Sequence, residues 1–293
     1  MIRALFIKSF LYLFAFLPLP VSHAIGSLAG LVLTWIPGRT RDTARTNIKL
    51  CFPELSPGKQ RRLVSACLRE TGKTLFESGA LWLRPGPSTL KLIRGVDGIE
   101  HVEAALAREH GIILATPHLG AWEAAGLYCA SHYDITCLYR PLRMQELEDL
   151  VRNARNRAGG SYVPTTSHGI RTLYKTLADK RAVAMLPDQE PQAGTGVFAP
   201  FFGIPAYTMV FLSRLTIKTG APIVVVWSER LSFGRGYRLH FRPALDATYT
   251  DDLDTSVAAI NLAVENMIRE CPAQYQWSYR RFRTRPKGDA PLY

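Results

Sequence analysis

The chain has 293 residues, 47% of them hydrophobic, which supplies a large core and excludes an intrinsically disordered protein. Lysine and arginine number 36 against 24 acidic residues, and the formal net charge of +12 calls for an anionic partner: nucleic acid, an anionic membrane surface, or an acidic carrier or phosphorylated substrate. Cys51, Cys67, Cys129, Cys137 and Cys271 form no C-x-x-C pair, which speaks against a disulfide framework or a structural metal, and no zinc-protease, serine-hydrolase or Walker signature occurs.

Residues Ala4 to Leu17 are apolar apart from Lys8 and Ser9; Pro18 and Pro20 interrupt, and a second apolar run extends from Ile25 to Ile36. Neither run reaches the roughly 18 to 20 residues that a spanning helix needs. Together they suit a membrane-embedded hairpin, or one tilted span continued by an interfacial helix. Residues 1–38 are therefore read as an N-terminal membrane-anchoring helical segment, and 39–293 as a second domain. Arg39, Arg41, Arg45 and Lys49 follow the second run, a cluster that tends to hold the following polypeptide on the cytoplasmic side. Two other readings compete: a cleaved signal peptide, because Ser22-His23-Ala24 loosely resembles a cleavage site, and a buried pair of core helices.

From Ser56 to Leu83 apolar positions recur loosely at helical spacing until Pro85-Gly86-Pro87 stops them. A short helix over Glu100 to Arg108 precedes a strand over Ile112 to Thr116, and a second strand, Ile135 to Tyr139, ends at Arg140. Met144 to Ala158 reads as an amphipathic helix with Leu147, Leu150, Val151 and Ala154 inward and Arg152, Arg155 and Arg157 outward. Ile170 to Ala178 is helical, and Ala182 to Leu186 is a strand closing on Pro187-Asp188-Gln189. Ile223 to Trp227 is a β-branched run suited to a strand buried on both faces, with Tyr237 to Phe241 as its hairpin partner or an edge strand, and Leu253 to Glu270 is a long helix. The alternation predicts an α/β fold with a mixed sheet flanked by helices.

The segment Ile112-Ile113-Leu114-Ala115-Thr116-Pro117-His118-Leu119-Gly120-Ala121-Trp122-Glu123 carries the chemistry. A buried strand ends in a histidine, with a carboxylate five residues on. Residues five apart on one helix are offset by about 140°, so the two side chains can cooperate only with His118 in the loop and Glu123 in the first helical turn. A neutral imidazole can take a proton from a hydroxyl while a carboxylate fixes its tautomer. The plainer reading is a structural histidine beside a solvated glutamate.

Gly194-Thr195-Gly196-Val197-Phe198-Ala199 matches a relaxed dinucleotide pattern, but Pro200 and Pro205 block the helix that fingerprint must open. A mobile or substrate-facing loop fits better, with Phe198, Phe201 and Phe202 either as core aromatics or as the wall of an acyl-chain groove. The tail Trp277-Ser278-Tyr279-Arg280-Arg281-Phe282-Arg283-Thr284-Arg285-Pro286-Lys287 interleaves cations and aromatics, as nucleic-acid binders do, although an anionic lipid headgroup asks for the same arginine chemistry. Beside an apolar amino terminus the lipid reading is favoured over nucleic acid.

In order along the chain, the segments 47–56, 116–123, Leu138-Tyr139-Arg140-Pro141, Pro187-Asp188-Gln189, 196–206 and 280–286 together resemble the bacterial lipid A biosynthesis acyltransferases of the lauroyl and myristoyl transferase type. The resemblance implies an enzyme of the bacterial inner membrane with its catalytic domain facing the cytoplasm. It would move a fatty acyl chain from an acyl carrier protein thioester to a hydroxyl of a hydroxyacyl chain on an anionic lipid A precursor, without metal or cofactor. Carried over by position, His118 and Glu123 become an H-x4-D/E catalytic pair, with Glu123 holding the imidazole, while Arg140 and Asp188 line the substrate site. Family members usually have asparagine where this chain has Ala121, which leaves room for a different acceptor: a lysophospholipid, an aminolipid or a glycolipid. A non-catalytic basic module that binds membrane or nucleic acid is the third reading.

Overall fold

The computed structural model describes residues 2–141 and 144–293. The chain opens with three helices, α1 (Ile2–Phe16), α2 (Leu19–Trp35) and α3 (Arg39–Cys51), followed by the long α4 (Pro57–Leu83) and the short α5 (Gly86–Leu90). Ser56 caps α4 by accepting the backbone N–H of Lys59, and Pro57 occupies its first position, where a missing N–H costs nothing. The helix α2 packs on α4 through small residues: a side chain at Gly30 would lie 2.1 Å from the Leu68 carbonyl oxygen, and one at Gly72 1.9 Å from that of Gly26. Phe10 and Phe14 of α1 meet Phe76 of α4 at ring distances of 5.2 and 4.7 Å. Among the described residues no single helix is long and apolar enough to cross a membrane, and α2 and α3 are bent by 82° relative to each other. Large apolar side chains stay on the outside of α1 and α2, including Leu5, Phe6, Leu13, Phe16, Leu28 and Trp35.

The remaining chain alternates strand and helix: β1 (Ile93–Asp97), α6 (Ile99–Leu106), β2 (Ile112–Ala115), α7 (Trp122–His132), β3 (Ile135–Tyr139), α8 (Gln145–Asn156), β4 (Ser161–Pro164), α9 (Ser167–Ala178) and β5 (Ala182–Met185). A two-stranded ribbon follows, β6 (Gly196–Phe201) with β7 (Ile204–Met209), then α10 (Phe211–Thr219), β8 (Ile223–Arg230), β9 (Tyr237–Pro243) and α11 (Leu253–Glu270). Seven strands form one sheet in the order β1-β9-β8-β2-β5-β3-β4, all pairs parallel except β8 with β9. This is the α/β fold with a mixed, helix-flanked sheet that the alternation predicts.

Period-two alternation sends side chains to two cores. Ile113 and Ala115 of β2 join Leu173 of α9, Leu215 of α10 and Val264 of α11 on one face, while Ile112 and Leu114 join Val102 of α6 and Ala125 of α7 on the other. Two expectations change. Tyr237 to Phe241 is the hairpin partner of β8 but not an edge, because β1 covers its far side. The 194–202 segment is not simply a loop: β6 and β7 pair antiparallel with Pro200 opposite Pro205, and Phe202 and Gly203, both at positive φ, make the turn. Proline is tolerated there because each strand of an isolated ribbon has a free edge. Phe201 sits in the main core and Phe202 packs on Phe52 and Trp277, so both are core aromatics rather than groove walls.

Candidate active site

Strand register alone brings the first two site residues together. Ala115 of β2 pairs with Met185 of β5 in a parallel ladder, and Thr116 N–H continues it onto the Met185 carbonyl. Three residues beyond each partner come His118 and Asp188, both outside the carboxyl ends of adjacent strands, where α/β sheets place their ligands. The ring Nδ1 of His118 lies 2.8 Å from Asp188 Oδ1, and the His118 backbone N–H donates to Oδ2 at 2.9 Å.

The protonation follows from this pairing. Burial alone would raise the Asp188 carboxyl, but the His118 charge and both His118 hydrogen bonds outweigh it and hold Asp188 below the usual carboxylate range. An ionised carboxylate only accepts, so Nδ1 carries the proton and Nε2 presents its lone pair. The Gln189 side-chain amide donates to that Nε2 at 3.2 Å and to Gln276 Oε1 at 3.1 Å. The imidazole is thus poised to accept a proton on its outer nitrogen.

Backbone contacts fix the loop that carries His118. Its carbonyl takes the Gln276 N–H at 3.1 Å, Gly120 N–H donates to the Gln274 carbonyl at 3.0 Å, and Ala121 N–H donates to the Ser228 carbonyl at 2.8 Å. Gly120 adopts φ +62°, and a Cβ there would stand 1.9 Å from the Ser228 oxygen, so only glycine fits this passage. The chain then enters α7, whose first turn holds Trp122 and Glu123; the Trp122 ring lies 5.2 Å from that of His118.

Glu123 does not hold the imidazole. Its carboxylate pairs with Arg155 of α8, Oε1 to Nη2 at 2.5 Å and Oε2 to Nε at 3.2 Å. Burial pushes the Glu123 carboxyl up, and the Arg155 charge and hydrogen bonds push it further down, with His118 contributing a smaller lowering effect. The expectation that Arg155 faces outward with Arg152 and Arg157 is corrected at the same time. Arg155 turns inward, its guanidinium 5.7 Å from the Tyr162 ring and 6.0 Å from that of Tyr139. Asp188 therefore orients the imidazole, and Glu123 is held by α8 in the wall beside it.

That wall bounds a cavity of about 280 Å³ between α4 and the His118 loop. Thr71, Thr74, Leu75 and Trp82 line one side, and Trp122, Glu123, Tyr275 and Gln276 the other. Gln276, one of the lining residues, accepts from the Gln189 amide that also touches His118 Nε2, so the cavity wall is linked to the imidazole through Gln189. Arg140 lies past the carboxyl end of β3, one strand beyond Asp188, and is exposed. The arginine-rich tail is largely occupied internally: the buried Arg281 donates to the Tyr207 carbonyl and Thr208, Arg283 pairs with Glu190, and Arg285 bonds the Pro205 carbonyl and Asp289. The tail fastens the C-terminus to the β6–β7 ribbon through Arg281 and Arg285, while the Arg283 side chain stays largely exposed.

Sequence reasoning missed Arg155, Gln189, Gln276 and Arg230. A signal existed for Arg155, which lies four residues after the buried Val151 and so on the inward face of α8. Gln189 adjoins Asp188 in the motif already singled out, whereas Gln276 and Arg230 become relevant only once the sheet is assembled.

Comparison with known proteins agrees with this architecture. The model of the family described as bacterial lipid A biosynthesis acyltransferase matches residues 3–284. The chain is 29% identical over 287 residues to a lipid A biosynthesis palmitoleoyltransferase of Escherichia coli (strain K12), covering 97% of this chain and 92% of that protein. It is 30% identical over 285 residues to a lipid A biosynthesis lauroyltransferase of the same strain, with 97% and 92% covered. A phosphatidylinositol mannoside acyltransferase of Mycobacterium tuberculosis (strain ATCC 25618 / H37Rv) is 32% identical over 181 residues, 59% of this chain and 54% of that protein. With the family model spanning strand ends, His118 loop and tail alike, the chain belongs to the bacterial lipid A biosynthesis acyltransferases and is an acyltransferase.

Proposed function

We propose that the protein transfers a fatty acyl chain from an acyl carrier protein thioester to a hydroxyl of a hydroxyacyl chain on a lipid A precursor, with His118 as general base. The observation that carries this reading is the His118–Asp188 pair, in which the carboxylate faces Nδ1 and leaves the Nε2 lone pair turned outward beside Gln189. His118 Nε2 takes the acceptor hydroxyl proton as the oxygen attacks the thioester carbonyl. A C–O bond forms, the C–S bond breaks, and the proton passes from the imidazolium to the departing thiolate. The nucleophile is the substrate, so no acyl-enzyme is required. Asp188 stabilises the transient imidazolium, and the Glu123–Arg155 pair sets the shape and charge of the wall beside it.

The same reading places the chain at the inner membrane with residues 39–293 as a catalytic domain on the cytoplasmic side, and residues 1–38 as its membrane-docking segment. Support comes from the exposed apolar side chains of α1 and α2 and from Arg39, Arg41, Arg45 and Lys49 just beyond them. Leu75, exposed at the cavity wall, adjoins Phe76, which packs on α1, so the cavity opens on the side where α1 would meet a bilayer. The net charge of +12 favours encounter with an acidic carrier and a phosphorylated glycolipid.

The test is transfer by purified protein from acyl carrier protein thioester to a lipid A precursor, with loss of several orders of magnitude in His118→Ala; an unchanged rate in that variant defeats the mechanism. A second acceptor class, a glycosylated inositol lipid, is favoured by the mycobacterial relative and by Ala121. Mass spectrometry of lipids from a deletion strain separates the two: one secondary acyl chain missing from lipid A supports the first, and intact lipid A with altered glycophospholipid supports the second.

A further inference from the structure

Behind the His118 loop, on the side away from Asp188, a buried guanidinium reaches the loop itself. Arg230, the last residue of β8, is 4% exposed, and its Nη2 donates to the Gly120 carbonyl at 2.9 Å. Its Nε lies 3.0 Å from both Glu77 oxygens, Nη2 reaches Glu77 Oε1 at 2.7 Å, and Nη2 also meets Thr74 Oγ1 at 2.7 Å. Glu77 in turn takes Tyr237 OH at 3.0 Å and His23 Nε2 of α2 at 2.8 Å. The backbone of Arg230 is locked as well: its N–H donates to Gln274 Oε1 at 2.9 Å, and its carbonyl accepts from Gln274 Nε2 at 3.1 Å. The Gln274 carbonyl then receives the Gly120 N–H, so Gly120 is gripped on both its polar atoms by parts of one assembly.

We propose that Arg230 is a positioning residue for His118, a role that rests on His118 being the base. A planar guanidinium fills this role because one edge serves Glu77 while the second Nη2 hydrogen is shared between Thr74 Oγ1 and the loop carbonyl. The remaining contacts of residues 118–121 to β8 and the 274–276 segment are peptide-to-peptide; the Ser228 carbonyl holds the N–H end of the Gly120–Ala121 peptide, and Arg230 holds its carbonyl end. Arg230 fixes the Gly120 peptide plane, and with it the approach of Nε2 to the acceptor hydroxyl. Through Glu77 the grip is braced against α2, which carries part of the exposed apolar surface. A displacement of the order of 1 Å at a reacting group can cost about a hundredfold in rate, so a second fixation is worth having.

Arg230→Lys keeps the charge but gathers its donors on one nitrogen, which does not reproduce the Nε and Nη2 edge that spans Glu77 and the Gly120 carbonyl. The expected result is a fall in kcat of between about ten- and a hundredfold, with KM for both substrates unchanged within about twofold and the midpoint of the pH profile unmoved. Tyr237→Phe is the control: it removes one hydrogen bond from the same Glu77 but none from Arg230 or Gly120, and its kcat should stay within about twofold of the wild type. Should Arg230→Lys fail to fold, Arg230→Met combined with Glu77→Met removes both buried charges at once, a replacement that is often near neutral for folding. It should melt near the wild-type temperature and show the same fall in kcat. Wild-type kcat in the lysine or double variant, or an equal loss in Tyr237→Phe, overturns the proposal. His118→Ala is measured alongside: full activity there removes the underlying reading, whereas an inactive His118→Ala beside a fully active Arg230→Lys removes this proposal alone.

Discussion

Asp188 grips His118 twice, through the ring Nδ1 at 2.8 Å and through the backbone N–H at 2.9 Å. One carboxylate therefore fixes both the rotation of the ring and the peptide that carries it. Replacing it by asparagine in Asp188→Asn keeps the shape but permits the opposite tautomer, with the proton on Nε2 and the lone pair turned inward. The expected cost is about a thousandfold or more in kcat, with little change in KM, measured by steady-state transfer. Because Asp188 is held below the usual carboxylate range by the His118 charge and hydrogen bonds, it stays ionised as pH falls through neutrality.

Glu123 and Arg155 form a pair whose side chains are 15% and 22% exposed, so neither charge is freely solvated. Truncating one partner strands the other. Glu123→Ala is expected to lower stability by about 3 kcal/mol, and Arg155→Met by a similar amount, while the double variant recovers much of the loss. Chemical denaturation of the four proteins gives the coupling directly, and a value above about 1 kcal/mol is expected. Strict additivity would mean that the contact contributes nothing to folding, and Glu123 would then have to be explained by the reaction alone.

Much of this site could be read from the chain because its parts lie at strand ends. The apolar runs 112–115 and 182–185 announce buried strands, and once the sheet pairs them in parallel, Ala115 opposite Met185, His118 stands beside Asp188. The preference for Glu123 as the imidazole's partner came from proximity in sequence, which a tight turn at Gly120 overrides by sending α7 off at its own angle. Strands β1 and β4 gave no signal for a different reason. Ile-Arg-Gly-Val-Asp and Ser-Tyr-Val-Pro each hold only two strand-favouring residues, and both lie at sheet edges, where pairing is decided by the neighbour. Arg230 was invisible for a third reason: its partners Glu77 and Gly120 are 153 and 110 residues away.

Glu77 is buried, which raises its carboxyl, yet the Arg230 charge and the His23 hydrogen bond overcome this and pull it from the ordinary 4.5 down to about 2. A carboxyl depressed on folding stabilises the protein above its unfolded value and loses that contribution as pH falls through the folded one. The stabilisation is thus whole at neutral pH and drains away between about pH 4.5 and pH 2. Glu77→Gln should remove most of this acid dependence while lowering stability at pH 7. Melting temperatures of the two proteins from pH 7 to pH 3 should therefore converge as acid is added; parallel curves would show that Glu77 is not the group responsible.

Phe16 and Trp35 close the two N-terminal helices with side chains 84% and 79% exposed, an arrangement that costs hydrophobic free energy in water and recovers it in a bilayer interface. Burying one such ring in the acyl boundary is worth about 2 kcal/mol, so Phe16→Ser and Trp35→Ser should each weaken partitioning onto phosphatidylglycerol-containing vesicles by about tenfold or more. The basic residues of α3 add an electrostatic component, which should fade as salt is raised, whereas the aromatic component should persist. Cosedimentation at low and high ionic strength separates the two. Transfer to a detergent-dispersed acceptor should be unchanged in both serine variants, since neither ring lines the cavity beside His118. Full vesicle binding by the double variant would mean that α1 and α2 do not form the docking surface.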